Sequence, residues 1–309
     1  MITTSRSILK VIAYFNVFNY PVKKDEIISF LDADYNEGQV NEALDFLLEK
    51  EIIYRFDGFY TLQNNYSWIQ RRKDGNKKAI AQLQIAEKVT SFLSGFPYIR
   101  GIAVSGSLSK HFADERSDID LFLIAAPNRL WIARTCMHLF KKLTFLVHRQ
   151  HWFCMNYYID ENALEIREKN IFTATEIVTV LPMRGKGVFD NFIGANLWVK
   201  NYFPQYIFQN NVCKKTRKGV LKSFTEMIFN NKLGDRLDDL LMKITLKRWQ
   251  KKTVRKRMNN SGILMGMDGG KHYSKPVPAH LQEKVLVRFK LKMEQLLSEL
   301  ETIRTASAV

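Results

Sequence analysis

The chain holds 309 residues, 46% of them apolar, which is enough to bury a core without disulfide or metal staples and suits two domains, or one and a half with a helical tail. Its net charge of +16 favours a polyanionic partner: nucleic acid, an anionic membrane surface or a phosphate-rich ligand. Cys136, Cys154 and Cys213 are scattered and odd in number, which excludes a disulfide framework and a CxxC metal site and fits a reducing, cytoplasmic setting.

The first apolar stretch is broken by Lys10 and Asn16, too short and too polar for a membrane span, and it lacks a signal-peptide cleavage pattern. Ile8, Val11, Ile12 and Phe15 recur at helical spacing, and Pro21 follows the helix end. Residues 23–31 predict a second short helix. Asn36 opens a third, with Val40, Ala43, Leu44 and Leu47 on its apolar face. Asp57-Gly58 lies between two β-prone runs and predicts a tight hairpin, because glycine accepts the positive φ of a primed turn.

The charge run at residues 71–78 reads as a solvated helix face or linker, followed by a helix over 77–94. Residues 99–104 are a short apolar strand that ends in Ser105-Gly106-Ser107. Asp118-Ile119-Asp120 opens a second apolar strand through Ala125, and Pro127 starts a helix to about residue 145. Residues 151–159 predict a third strand. Beyond residue 171 the pattern is mostly helical, over 172–180, 188–201 and 218–229, with a strongly basic stretch at 233–258. Residues 262–278, rich in Gly, Pro and Ser, read as a loop, and 279–303 as a long amphipathic helix.

The chemistry concentrates between residues 101 and 125. Side chains alternate along a strand, so Asp118 and Asp120 point the same way while Ile119 enters the core. Two neighbouring carboxylates repel each other and become tolerable with a divalent cation between them. Gly106 lets backbone approach a ligand closely, Ser107 adds a hydroxyl, and the short helix that follows turns free N–H groups toward a phosphate.

This order of strand, Gly-Ser turn, spacer and Asp-x-Asp strand resembles the signature of the polymerase-β-like nucleotidyltransferase superfamily. The three helices and hairpin before it resemble, in pattern, a winged-helix domain. Together they give an α+β expectation: a winged-helix-like domain over residues 1–66, a small mixed-sheet nucleotidyltransferase core over 67–170 and a helical C-terminal region over 171–309. The resemblance implies that Asp118 and Asp120 hold Mg2+ or Mn2+ on a nucleoside triphosphate, and that Gly106 and Ser107 hold its phosphates, with Lys110 as electrostatic help or as a surface lysine. It also implies a third carboxylate on the third strand. The centre of that strand carries Asn156, and Asp160 at its end stands either as the third ligand or as a turn residue.

The acceptor is open among RNA, a protein side chain and a small molecule. A descendant that binds nucleotide without transferring it, or a toxin–antitoxin-like or DNA-binding regulator, is the alternative. Glu37, Glu42, Asp45 and Glu49 make the third helix a poor fit to DNA phosphates and favour a protein contact there. The C-terminal basic residues, among them Lys243, Lys247, Arg248, Lys251, Lys252, Arg255, Lys256 and Arg257, read two ways. They form a nucleic-acid track with Trp249 as a stacking surface, or a solvated face with Trp249 in the core. His148 and His151 do not form a metal pair, and His272 and His280 flank the Gly/Pro/Ser-rich loop with no ligand partners visible.

Overall fold

A computed structural model describes residues 2–115, 117–144, 154–208, 213–254, 265–278 and 281–306. His148, His151, His280, Arg255, Lys256 and Arg257 lie outside them, as do the side chains of Asn156 and Lys252. The fold is mixed α+β. Among the described residues, no helix is long and apolar enough to cross a membrane.

The first sixty residues run α1 (Ile2–Asn16), β1 (Val22–Lys23), α2 (Lys24–Ser29), α3 (Glu37–Glu49), β2 (Tyr54–Phe56) and β3 (Phe59–Thr61). Asn36 starts α3 with a reciprocal cap. Its side chain accepts from Gln39 N at 2.9 Å, and the Gln39 side chain accepts from Asn36 N at 3.0 Å. Asp57 and Gly58 both take positive φ, the geometry that closes a two-residue hairpin, and Phe56 pairs with Phe59 across it. The strand order is β1-β3-β2.

One long helix, α4 (Ser67–Leu93), passes through the charge run expected as a solvated face or linker. The run is thus a helix face, mostly exposed or half-buried, and Arg72 is its charged exception, being only 2% exposed. Its guanidinium pairs with Glu26 at 2.7 Å, stacks 3.9 Å from the centre of the Tyr20 ring and donates to Pro21 O at 3.3 Å. A buried charge tolerates its desolvation only with such partners. Further along α4, Gly75 leaves room for the Phe112 ring, and its carbonyl accepts from Ala113 N at 3.2 Å.

The remaining elements are β4 (Ile99–Val104), α5 (Gly106–Ser109), β5 (Asp120–Ala125), α6 (Leu130–Thr144), β6 (Cys154–Asp160), α7 (Ile171–Thr179), β7 (Leu181–Arg184), α8 (Lys186–Ala195), α9 (Val220–Phe229), α10 (Lys232–Val254), β8 (Met265–Gly270), β9 (Tyr273–Pro278) and α11 (Leu281–Ala306). A six-stranded sheet of order β7-β4-β5-β6-β9-β8 carries them. Only β5 and β6 pair in parallel among the described strands, and α6 lies in the crossover that a parallel pair requires.

Three of these strands correct the helical expectation for residues 171–309. β7 joins β4, and the segment expected as a loop is the β8–β9 hairpin. Its glycines and prolines argue against a strand on propensity alone. Among the described residues, however, β9 meets β6 only at Tyr273 and Ser274, so Pro276 and Pro278 break no second ladder. Trp249 on α10 is buried, with its ring 5.7 Å from that of Trp131 and under the Arg134 guanidinium at 4.5 Å. The stacking-surface reading of Trp249 therefore falls. Lys243, Lys247, Arg248 and Lys251 form the solvated face of α10.

Arg72→Ala is expected to lower the unfolding free energy by about 2 kcal/mol, because Glu26 loses its cationic partner while keeping the hydrogen bonds from Lys23 N and the Tyr20 hydroxyl. Chemical denaturation of Arg72→Ala, Glu26→Gln and the double variant checks this, with the double variant recovering part of the loss.

Candidate functional site

The site begins where β4 ends. Ser105 N donates to Asp120 O at 2.9 Å, which fixes the end of β4 beside the start of β5. Gly106 then turns the chain with φ +68°, and a Cβ there would lie 2.7 Å from Asp120 Oδ2. Glycine is thus required twice, for the backbone conformation and for the carboxylate packed against it. The Gly106 carbonyl accepts from Ser109 Oγ at 2.9 Å and from Lys110 Nζ at 3.1 Å. Ser107 is exposed on the single turn of α5.

Asp118 and Asp120 are half-buried and flank the buried Ile119, but β5 starts at Asp120 and Asp118 lies before it, outside the strand. Burial, followed by the charge of Asp118, pushes the Asp120 carboxyl up to about 6. A hydrogen bond from the Cys154 thiol works the other way, Glu176 raises it further and Lys141 lowers it. Asp120, Gly106 and Ser105 form one end of a cavity of about 390 Å3, whose wall includes Phe122, Tyr157 and Phe172. Asp118 is not part of that wall.

Asp160 is not brought to this site. In the parallel β5–β6 register Asp120 lies opposite Cys154, and Asp160 lies opposite Ala125. That separation is roughly 17 Å at ~3.3 Å per residue. Asp160 is fully buried, accepts from Asn128 N at 3.0 Å and Asn162 N at 3.1 Å, and sits 2.9 Å from His272 Nδ1. It ties the β5–α6 turn at Asn128 to the end of β6 and holds the β8–β9 turn through His272, so the turn-residue alternative describes it. His272 is part of this clamp. The position beside Asp120 on the neighbouring strand carries a thiol, Cys154.

Lys110 is drawn away from solvent. Its ammonium pairs with Glu176 at 2.8 Å, and its carbonyl accepts from the Tyr20 hydroxyl at 2.7 Å. Glu176 lines the same cavity as Asp120 and was not singled out in the sequence. The available signal was a lone acid inside the apolar segment Ile171–Thr179, away from any capping position.

Among the described residues no three His, Cys, Asp or Glu side chains form a ready metal cage. Magnesium commonly takes one or two carboxylates, with waters and substrate phosphates completing its shell. Asp118 and Asp120 match that donor set. No family model, curated protein or solved structure matches the chain.

Asp120 links the site to stability. Its folded-state pKa lies above the ordinary carboxylate value, so the ionised form destabilises the fold at neutral pH and the protonated form does not. Asp120→Asn is expected to stabilise the protein by roughly 1–2 kcal/mol at pH 7, allowing for partial exposure. The gain should shrink as pH falls through about 6 and vanish below about 4. Denaturation midpoints measured across that window check it.

Proposed function

We propose that this chain is a divalent-cation-dependent nucleotidyltransferase, with Asp118 and Asp120 as the cation-binding pair. The observation that carries the reading is the Asp120 carboxylate held against the Gly106 backbone in the wall of a cavity. Mg2+ or Mn2+, when bound there, supplies the charge that stabilises the attacking and departing oxygens. In this reading Gly106 lets backbone approach the triphosphate, and the hydroxyl of Ser107, which is exposed, donates to it. Lys110 acts through its grip on Gly106 O and Glu176 rather than by direct contact with phosphate. A hydroxyl of the acceptor attacks the α-phosphorus, and pyrophosphate leaves with the bonding electrons.

In this reading the N-terminal unit is winged-helix-like and serves as a protein-contact module. The exposed acids Glu37, Glu42, Asp45 and Glu49 of α3 disfavour DNA. The hydrogen bond from Tyr20 to the Lys110 carbonyl gives that unit a direct hold on the nucleotide turn. A cytoplasmic setting accords with Cys136, Cys154 and Cys213 forming no disulfide.

Cys154 favours a second reading, nucleotide binding without transfer. It stands opposite Asp120 on β6, where an acid would be needed to complete a set of three carboxylates around the cation. Incubation with α-labelled nucleoside triphosphates, Mg2+ or Mn2+, and cell extract separates the two. The transfer reading expects label on an acceptor, reduced at least a hundredfold in Asp118→Asn. Stoichiometric nucleotide binding in equilibrium dialysis with no labelled acceptor supports binding alone. Undiminished transfer by Asp118→Asn overturns the cation assignment.

A further inference from the structure

The cavity behind Asp120 has walls that are mostly carbon. Phe122 and Tyr157, from adjacent strands, meet edge-on with ring centres 5.3 Å apart, and Phe192 of α8 lies 5.1 Å from Phe122. Phe172 and Ile177 of α7 also line it. Such a lining suits a small organic ligand, and about 390 Å3 is within the range of small-molecule sites.

The charges at the cavity are already committed. Lys275 pairs with Glu168, and Lys110, just outside the wall, is spent on Glu176 and Gly106 O. The wall itself carries the acids Asp120, Glu168 and Glu176 against Lys275, among the described residues. A phosphate pushed inward would lose its hydration and meet carboxylates rather than an available cation. A nucleobase would bring several donors and acceptors to a wall that is mostly aromatic and aliphatic carbon, with Ser105, Thr173, Gln282 and the charged side chains as its polar exceptions, and each group left unpaired costs free energy. An uncharged ring with a single hydroxyl avoids both penalties.

Resting on the nucleotidyl-transfer reading, we infer that this cavity is the acceptor site and that the acceptor is a small hydroxyl compound with an uncharged apolar ring. The ring lies among Phe122, Tyr157, Phe172 and Ile177. The hydroxyl faces the Asp120 end, where the triphosphate is held by the cation. In the transfer, the hydroxyl O–H bond breaks and an oxygen–phosphorus bond forms. The bond from the α-phosphorus to the pyrophosphate oxygen breaks, pyrophosphate takes the electron pair, and the proton passes to solvent at the mouth. An RNA acceptor does not fit this cavity, because its backbone would bring phosphates against the wall carboxylates.

The test uses the full chain with 2-naphthylmethanol as the neutral probe, 2-naphthoate as its anionic counterpart and total RNA as a polyanion, each titrated by calorimetry. Binding of Mn2+ with a non-hydrolysable nucleoside triphosphate is measured separately. The alcohol is expected to bind at least tenfold more tightly than the carboxylate, and Phe172→Arg to weaken it at least tenfold. Thr173→Trp, which fills the cavity from a half-buried position, is expected to do the same and covers a failure of Phe172→Arg to fold. Asp118→Asn, outside the wall, is expected to lose the Mn2+–nucleotide complex and keep the alcohol. If the wild-type chain takes the alcohol but no nucleotide, the transfer reading falls and the acceptor role with it. If it takes the nucleotide but binds naphthoate or RNA as tightly as the alcohol, the acceptor inference fails on its own. Alcohol affinity unchanged in folded Phe172→Arg or Thr173→Trp sinks it equally.

Discussion

A carboxylate packed against a glycine backbone sets the constraints on this site. Asp120 starts a central strand, and its Oδ2 occupies space that any side chain at position 106 would claim. Burial and the neighbouring charge of Asp118 make ionised Asp120 costly, which is why its pKa rises to about 6. A fold that keeps such a group loses stability there, and binding sites are where that loss is commonly tolerated. A cation shared with Asp118 would relieve it by removing the repulsion between the two carboxylates.

The rest of the molecule holds that contact in place from three directions. The Ser105–Asp120 hydrogen bond continues the β4–β5 ladder under the turn. From the N-terminal side, Arg72 on α4 is clasped by Glu26 and Tyr20, and the Tyr20 hydroxyl reaches the Lys110 carbonyl. From the C-terminal side, α7 brings Glu176 to the Lys110 ammonium, which also holds the Gly106 carbonyl. Lys110 therefore links both flanking regions to the glycine turn, a role set by tertiary contacts.

Local patterns in the sequence carried much of this arrangement. Helical periodicity placed α1 and α3, the Asp57-Gly58 pair placed its hairpin, and the Gly-Ser and Asp-x-Asp elements marked the turn and the strand that do meet. What escaped was non-local. Asp160 shares a strand with Cys154, but only the parallel register shows that the thiol, and not the acid, stands beside Asp120. Arg72 looked like one more charge in a run, because nothing nearby in sequence announces Glu26 and Tyr20 as its partners. The β8–β9 hairpin was hidden by its glycines and prolines; β8 is the sheet edge, and Pro276 and Pro278 of β9 lie past the two residues that pair with β6, which local propensity does not reveal.

The most direct measurement is anomalous diffraction from crystals grown with Mn2+ and a non-hydrolysable nucleoside triphosphate. The account predicts a manganese peak between the Asp118 and Asp120 carboxylates, about 2.1 Å from their oxygens, with the triphosphate against Gly106. Nucleotide bound elsewhere, or a filled nucleotide site with no metal at the aspartate pair, would contradict it.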